Sequence, residues 1–142
     1  MKIRLLVIVA MLVLAVAGCT NRGRLPATKT IDVPMDEVLK ESSIERQVSL
    51  SVGDTLKVTL GSNYTTPYRW TEDTTIGDTT VLEQISHRYV RPDTDVMGAP
   101  GTEVWTFSAL RPGTTTITTG YSSFVGSDNS PTCTFTAKVT VR

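Results

Sequence analysis

Gln47-Val48-Ser49-Leu50-Ser51-Val52-Gly53-Asp54-Thr55-Leu56-Lys57-Val58-Thr59-Leu60 decides the fold class of this 142-residue chain. Val48, Leu50 and Val52 alternate with polar residues, Gly53-Asp54 turns the chain, and Leu56, Val58 and Leu60 alternate again. A period of two places every second side chain on one face, so each half reads as a strand packed on one side only. The pair is either a hairpin or a change of sheet. The pattern returns at Tyr68 and Trp70, less cleanly over Val81–Val90, then at Trp105, Phe107 and Ala109, and at Thr115, Ile117, Thr119 and Tyr121. It returns last at Cys133, Phe135, Ala137, Val139 and Val141. Gly77-Asp78 and Arg111-Pro112-Gly113 are turns between these runs. Composition agrees, because the chain carries 24 threonines and 16 valines, β-branched residues that favour strands. Seven short strands with turns roughly every ten residues predict an all-β, immunoglobulin-like β-sandwich over residues 47–142.

The N-terminus is an address. Lys2 and Arg4 precede the apolar run Leu5 to Val16, whose 12 residues fall short of the ~18 or more of a membrane-spanning helix. Val16-Ala17-Gly18-Cys19 ends it with small residues leading to a thiol, in the manner of a bacterial lipobox. Residues 1–18 are therefore expected to be a lipoprotein signal, with Cys19 as the lipidation site. Without Lys2 and Arg4 the 14 basic residues become 12 against 14 acidic ones, so acyl chains and not a polybasic patch would hold the chain to a membrane. Thr20, not Asp, follows the cysteine, which suggests the outer membrane or cell surface. Residues 19–46, with Pro26 and Pro34 and no alternation, read as lipidated N-terminus and linker with a helical turn at 35–40. Cys133 is then left without a partner, and its place in an alternating run favours burial as a small hydrophobe.

Catalytic material is scarce. His87 is the only imidazole, no serine lies in a nucleophile elbow, and no phosphate-cradling loop is present. One histidine and two cysteines leave little for a metal, and balanced, scattered charge gives nucleic acid no basic footprint. The chain is expected not to be an enzyme, to need no cofactor, and to be a monomer.

Three connections hold what information remains: Gly61–Pro67, Arg91–Thr102 and Ser122–Pro131. A sandwich can gather them at one end, where exposed loops on a rigid scaffold serve binding. Asn63, Thr65, Thr66, Tyr68 and Trp70 match, position by position, the Asn-Pro-Thr-Thr-Gly-Tyr/Phe loop and following Trp of the chagasin family of cysteine-peptidase inhibitors. Gly98, Gly101, Trp105 and Phe107 match that family's glycine-rich loop and aromatic strand, and Leu110 to Ile117 resembles its next turn. The resemblance spans Val48 to Val141. It implies a reversible inhibitor of papain-like cysteine peptidases that enters the active-site cleft with three loops. The peptidase-binding residues so implied are Asn63, Tyr64, Thr65, Thr66, Pro67 and Tyr68, then Gly98, Ala99, Pro100 and Gly101, then Ser123 and Phe124.

Three departures stand beside it. Tyr64 replaces the family's Pro, and Pro67 its Gly. Ser123, Phe124 and Val125 replace an Arg-Pro-Trp. A proline with φ near −65° cannot follow a loop path that needs positive φ at 67. These changes keep open a second reading, an immunoglobulin-like adhesion or assembly module without inhibitory activity.

Overall fold

The structure, a computed structural model, describes residues 23–142; the signal run and Cys19 lie outside the described residues. Among the described residues, nine strands and one short helix follow in the order β1 (Thr28–Val33), α1 (Met35–Lys40), β2 (Ser43–Leu50), β3 (Thr55–Ser62), β4 (Tyr68–Trp70), β5 (Thr75–Ile76), β6 (Leu82–Val90), β7 (Gly101–Ala109), β8 (Gly113–Ser123) and β9 (Cys133–Val141). Two sheets face each other in an immunoglobulin-like β-sandwich. One has the order β1-β3-β7-β6; the other has β2-β9-β8-β4, with β5 also paired to β8. Most of the alternating apolar residues read from the sequence form the core between them; Val52, read as inward, lies beyond the end of β2 and is exposed, and Val48 and Tyr68 are only partly buried. Leu56, Val58, Leu60, Trp105 and Phe107 come from one sheet, and Ile117, Tyr121, Phe135, Ala137 and Val139 from the other. Cys133 is buried among them, and burial raises its thiol pKa, so it packs as a small hydrophobe.

Gly53-Asp54 is the change of sheet. β2 lies beside β9 in one layer and β3 beside β7 in the other, and Gly53 takes φ +90° to make the corner. Asp54 is buried in that corner. Its carboxylate accepts from the backbone N–H groups of Ala27 (2.9 Å) and Ser51 (2.8 Å) and from Arg24 (3.1 Å), which holds its pKa down at about 2.

The linker reading of residues 19–46 is corrected for its latter part. β1 pairs in parallel with β3 along its whole length, from Thr28 beside Thr55 to Val33 beside Leu60, with Ile31 and Val33 in the core. β2 starts at Ser43, four residues earlier than expected, with Ile44 buried against Phe135 in the register. Only two inward side chains mark β1 in sequence, too few for a period-two signal, and its partner is distant in the chain. The short helix at 35–40 is present as read, with Val38 as its buried residue. β5, two residues long, is the other strand that patterning did not show.

Candidate functional site

Strand pairing gathers the three loops at one end. β3 ends and β7 begins side by side, with Ser62 opposite Gly101, while β4 begins opposite the end of β8, with Tyr68 opposite Ser123. The loops are therefore residues 63–67, 91–100 and 124–132, each shorter than the sequence suggested.

The first loop is shaped by Asn63. Its Oδ1 accepts from the Thr65 N–H (3.0 Å) and Thr65 hydroxyl (2.6 Å), and its carbonyl accepts from the Thr66 N–H (3.0 Å) and hydroxyl (2.7 Å). This is the local side-chain-to-backbone bonding that Asn brings to turns. The remaining Asn63 amide donates to the Gly98 carbonyl at 2.9 Å, tying the first loop to the second. The Phe124 N–H donates to the Pro67 carbonyl at 3.0 Å, tying the third loop to the first. Thr65 is exposed at the tip, and Thr66 is half-buried beside it.

A stack of side chains braces the same three loops. Tyr64 lies parallel to Tyr89 at a ring-centroid distance of 3.6 Å. The Arg69 guanidinium sits 3.7 Å from the Tyr64 centroid, and sterics require it to take the opposite face; it is 5.1 Å from the Phe124 ring. Arg69 also donates to the carbonyls of Thr66 (2.7 Å), Tyr68 (2.7 Å) and Tyr64 (3.2 Å). Tyr64 is thus a packing residue as well as a loop residue, while Phe124, 63% exposed, offers most of its surface to solvent.

Beneath the first loop lies a buried carboxylate. Glu103, fully enclosed, accepts from Ser62 Oγ (2.7 Å) and the Trp70 N–H (3.0 Å) on one oxygen. Its other oxygen meets His87 Nε2 (2.8 Å) and the Tyr64 hydroxyl (3.3 Å). Burial and the adjacent Glu103 charge push the Tyr64 phenol up to about 12. His87 therefore serves a packed polar network at the root of the loops.

The site residues expected from sequence separate in space. Asn63, Tyr64, Thr65, Thr66 and Pro67 form the first loop, and Gly98, Ala99 and Pro100 stand next to it, with Gly98 at φ +79°. Gly101 is corrected in place: it opens β7 and not a loop, is buried, and leaves no room for a Cβ against the Val90 carbonyl and the Tyr89 ring, so strand packing alone requires a glycine there. Tyr68 and Ser123 are paired strand ends, half-buried. Pro67 sits in a loop where no described non-glycine residue has positive φ, so the first loop runs without the conformation a glycine there would permit. Arg69, Tyr89 and Glu103 escaped the sequence reading. Glu103 had a signal, since it shares the inward register of Trp105 and Phe107; Arg69 and Tyr89 had none.

The β-sandwich presents three loops, tied to one another by hydrogen bonds, at one end. The model of the family described as Chagasin family peptidase inhibitor I42 matches residues 49–139, and the chain belongs to that family. No curated protein sequence matches. Among solved structures, the chain is similar to the cysteine protease inhibitor EhICP2 from Entamoeba histolytica, at 21% identity and TM-score 0.65, over 84% of this chain and 100% of that one. It is also similar to PbICP-C, solved in complex with falcipain-2, at 18% identity and TM-score 0.59, over 82% of this chain and 99% of that one. Amebosin matches at 20% identity and TM-score 0.54, over 82% and 98% of the two chains. At these identities the structural matches establish the fold.

Proposed function

We propose that this protein is a reversible inhibitor of papain-like cysteine peptidases that fills the active-site cleft with the loops at 63–67, 91–100 and 124–132. Family membership supports the inhibitor class, and the complex of PbICP-C with falcipain-2 supports the peptidase type. The observation that carries the loop assignment is the bonding of Asn63 to Gly98 and of Phe124 to Pro67, which presents three loops as one ordered edge. Ordering the loops before contact lowers the entropy cost of binding. Thr65 and Thr66, at the tip, would lie against the catalytic cysteine. Turn-shaped backbone there offers no extended peptide for attack, so inhibition proceeds without cleavage. The reading extends to export as a monomeric lipoprotein, anchored through Cys19 to the outer membrane or cell surface.

Titration of papain and a cathepsin L-like enzyme with residues 20–142 tests it. Stoichiometric, reversible inhibition with the protein left uncut is the expected result. No inhibition of either enzyme, or cleavage at Thr65-Thr66, overturns it and favours a binding module that has kept only the scaffold.

A further inference from the structure

Four connections, not three, meet at the loop end of the sandwich. β1 runs parallel to β3 and ends with Val33 beside Leu60, so α1 begins next to the first loop. β2, which follows α1, starts with Ser43 beside Thr134, near the root of the third loop. The helix is fixed in place there. A Cβ at Gly61 would collide with the Met35 backbone, Val38 is buried, and Glu37 pairs with Arg46 at 2.6 Å. Leu39 points the other way and is 72% exposed. The helix lies outside residues 49–139, the part matched by the family.

Leu39 borders a hollow of about 380 Å³ whose other walls include Met35, Asn63, Thr66, Tyr68 and Pro100. A second hollow of about 290 Å³ shares Leu39 and Tyr68 with it. Asn63, Thr66 and Pro100 belong to the first and second loops, so this apolar surface is continuous with the edge assigned to the peptidase.

We propose that α1 is a fourth element of that edge, and that Leu39 and the hollow beside it seat an apolar side chain from the wall of the peptidase cleft. The proposal rests on the inhibitor reading above. Leu39 gains nothing from exposure to water, and covering it would supply apolar burial beside the polar loop contacts. The peptidase is the occupant because the hollow shares Asn63 and Thr66 with the first loop. A protein that receives that loop must pass beside Leu39, whereas a second copy seated there would cover the loop.

The test is a titration of papain with the full chain in detergent, comparing Leu39→Asp, Leu39→Met and Thr66→Arg with the parent. Leu39→Asp is expected to weaken inhibition about tenfold, chiefly through faster dissociation, with an unchanged thermal midpoint. Leu39→Met is expected to inhibit like the parent, and Thr66→Arg to lose inhibition. If Thr66→Arg fails and Leu39→Asp still inhibits like the parent, α1 is no part of the edge, and this proposal falls while the inhibitor reading stands. Equal weakening by Leu39→Met and Leu39→Asp also overturns it, since the apolar contact would then not be what is measured. Self-association that Leu39→Asp abolishes with inhibition intact assigns the hollow to a second copy and overturns it. A parent that inhibits no papain-like enzyme removes both readings.

Discussion

The Arg69 guanidinium lies 3.7 Å from the centre of the Tyr64 ring, whose other face is stacked on Tyr89. This relationship explains how a loop with Tyr64 in place of proline stays ordered. The rigidity that a fixed φ would supply from within the backbone comes instead from an aromatic ring held on both faces. Arg69 adds three bonds to loop carbonyls, so one side chain holds both the ring and the turn. Its reach to Phe124 extends the brace to the third loop.

Removing that brace should loosen the edge while sparing the core. Arg69→Ala is expected to weaken inhibition by about tenfold or more, with a stability loss of about 1 kcal/mol from the lost carbonyl bonds. Arg69→Lys should recover only part of the affinity, because an ammonium lacks the planar fork that reaches three carbonyls and covers a ring. Inhibition constants and thermal melts of the two variants check this.

Thr66→Arg places a long cation at the loop tip. Inhibition should be lost with a parent-like circular dichroism spectrum and only a small fall in thermal midpoint, because the arginine can extend into solvent while the loop loses the Thr66 hydroxyl bond to the Asn63 carbonyl. Parent-like inhibition by this variant would show that the first loop does not enter the cleft.

Asn63→Ala removes both the turn bonds to Thr65 and the link to Gly98. Each such bond contributes about 0.5–1.5 kcal/mol, and all lie in loops. The expected outcome is a larger loss of affinity than of folding stability. Hydrogen exchange should show faster exchange at the Thr65 and Thr66 amides.

Glu103→Ala should destabilise the fold itself. It strips partners from the buried Ser62 hydroxyl and Trp70 amide and from the partly buried His87 and Tyr64. Leaving a buried donor such as the Ser62 hydroxyl or the Trp70 amide unsatisfied costs about 1–3 kcal/mol each. At about 4–5 °C per kcal/mol for a domain of roughly 100–120 residues, two such losses should lower the thermal midpoint by roughly 8–30 °C.

Asp54 sets a limit at acid pH. Its pKa is about 2 in the folded protein, against 3.8 for an ordinary aspartate. A depressed folded pKa gives stability that is fully present above the unfolded value and is lost as pH falls from about 4 through about 2. Asp54→Asn should therefore lower the thermal midpoint at pH 7, and the gap between variant and parent should narrow across that window.

How far the sequence reached can be judged element by element. Period-two runs such as Leu56-Val58-Leu60 and Phe135-Ala137-Val139 mark strands because each one buries a whole face, and the structure places all of these residues in the core. β1 was missed because Ile31 and Val33 alone turn inward, and its strand character comes from a parallel partner more than twenty residues away. Gly101 was read as part of a loop for a related reason: a strand glycine demanded by the Tyr89 ring looks, in sequence, like any loop glycine.

The sequence by itself determined the all-β class, the turns, most core positions from Leu56 onward and the Thr65-Thr66 loop, because these follow from local spacing and from residue types with narrow conformational preferences. Tertiary structure alone decided that Arg69 lies between Tyr64 and Phe124, that Glu103 anchors the loop roots, and that α1 stands beside the loops. Each of these joins residues that only strand pairing brings together, and pairing across two sheets is governed by packing between distant segments, which no local pattern encodes.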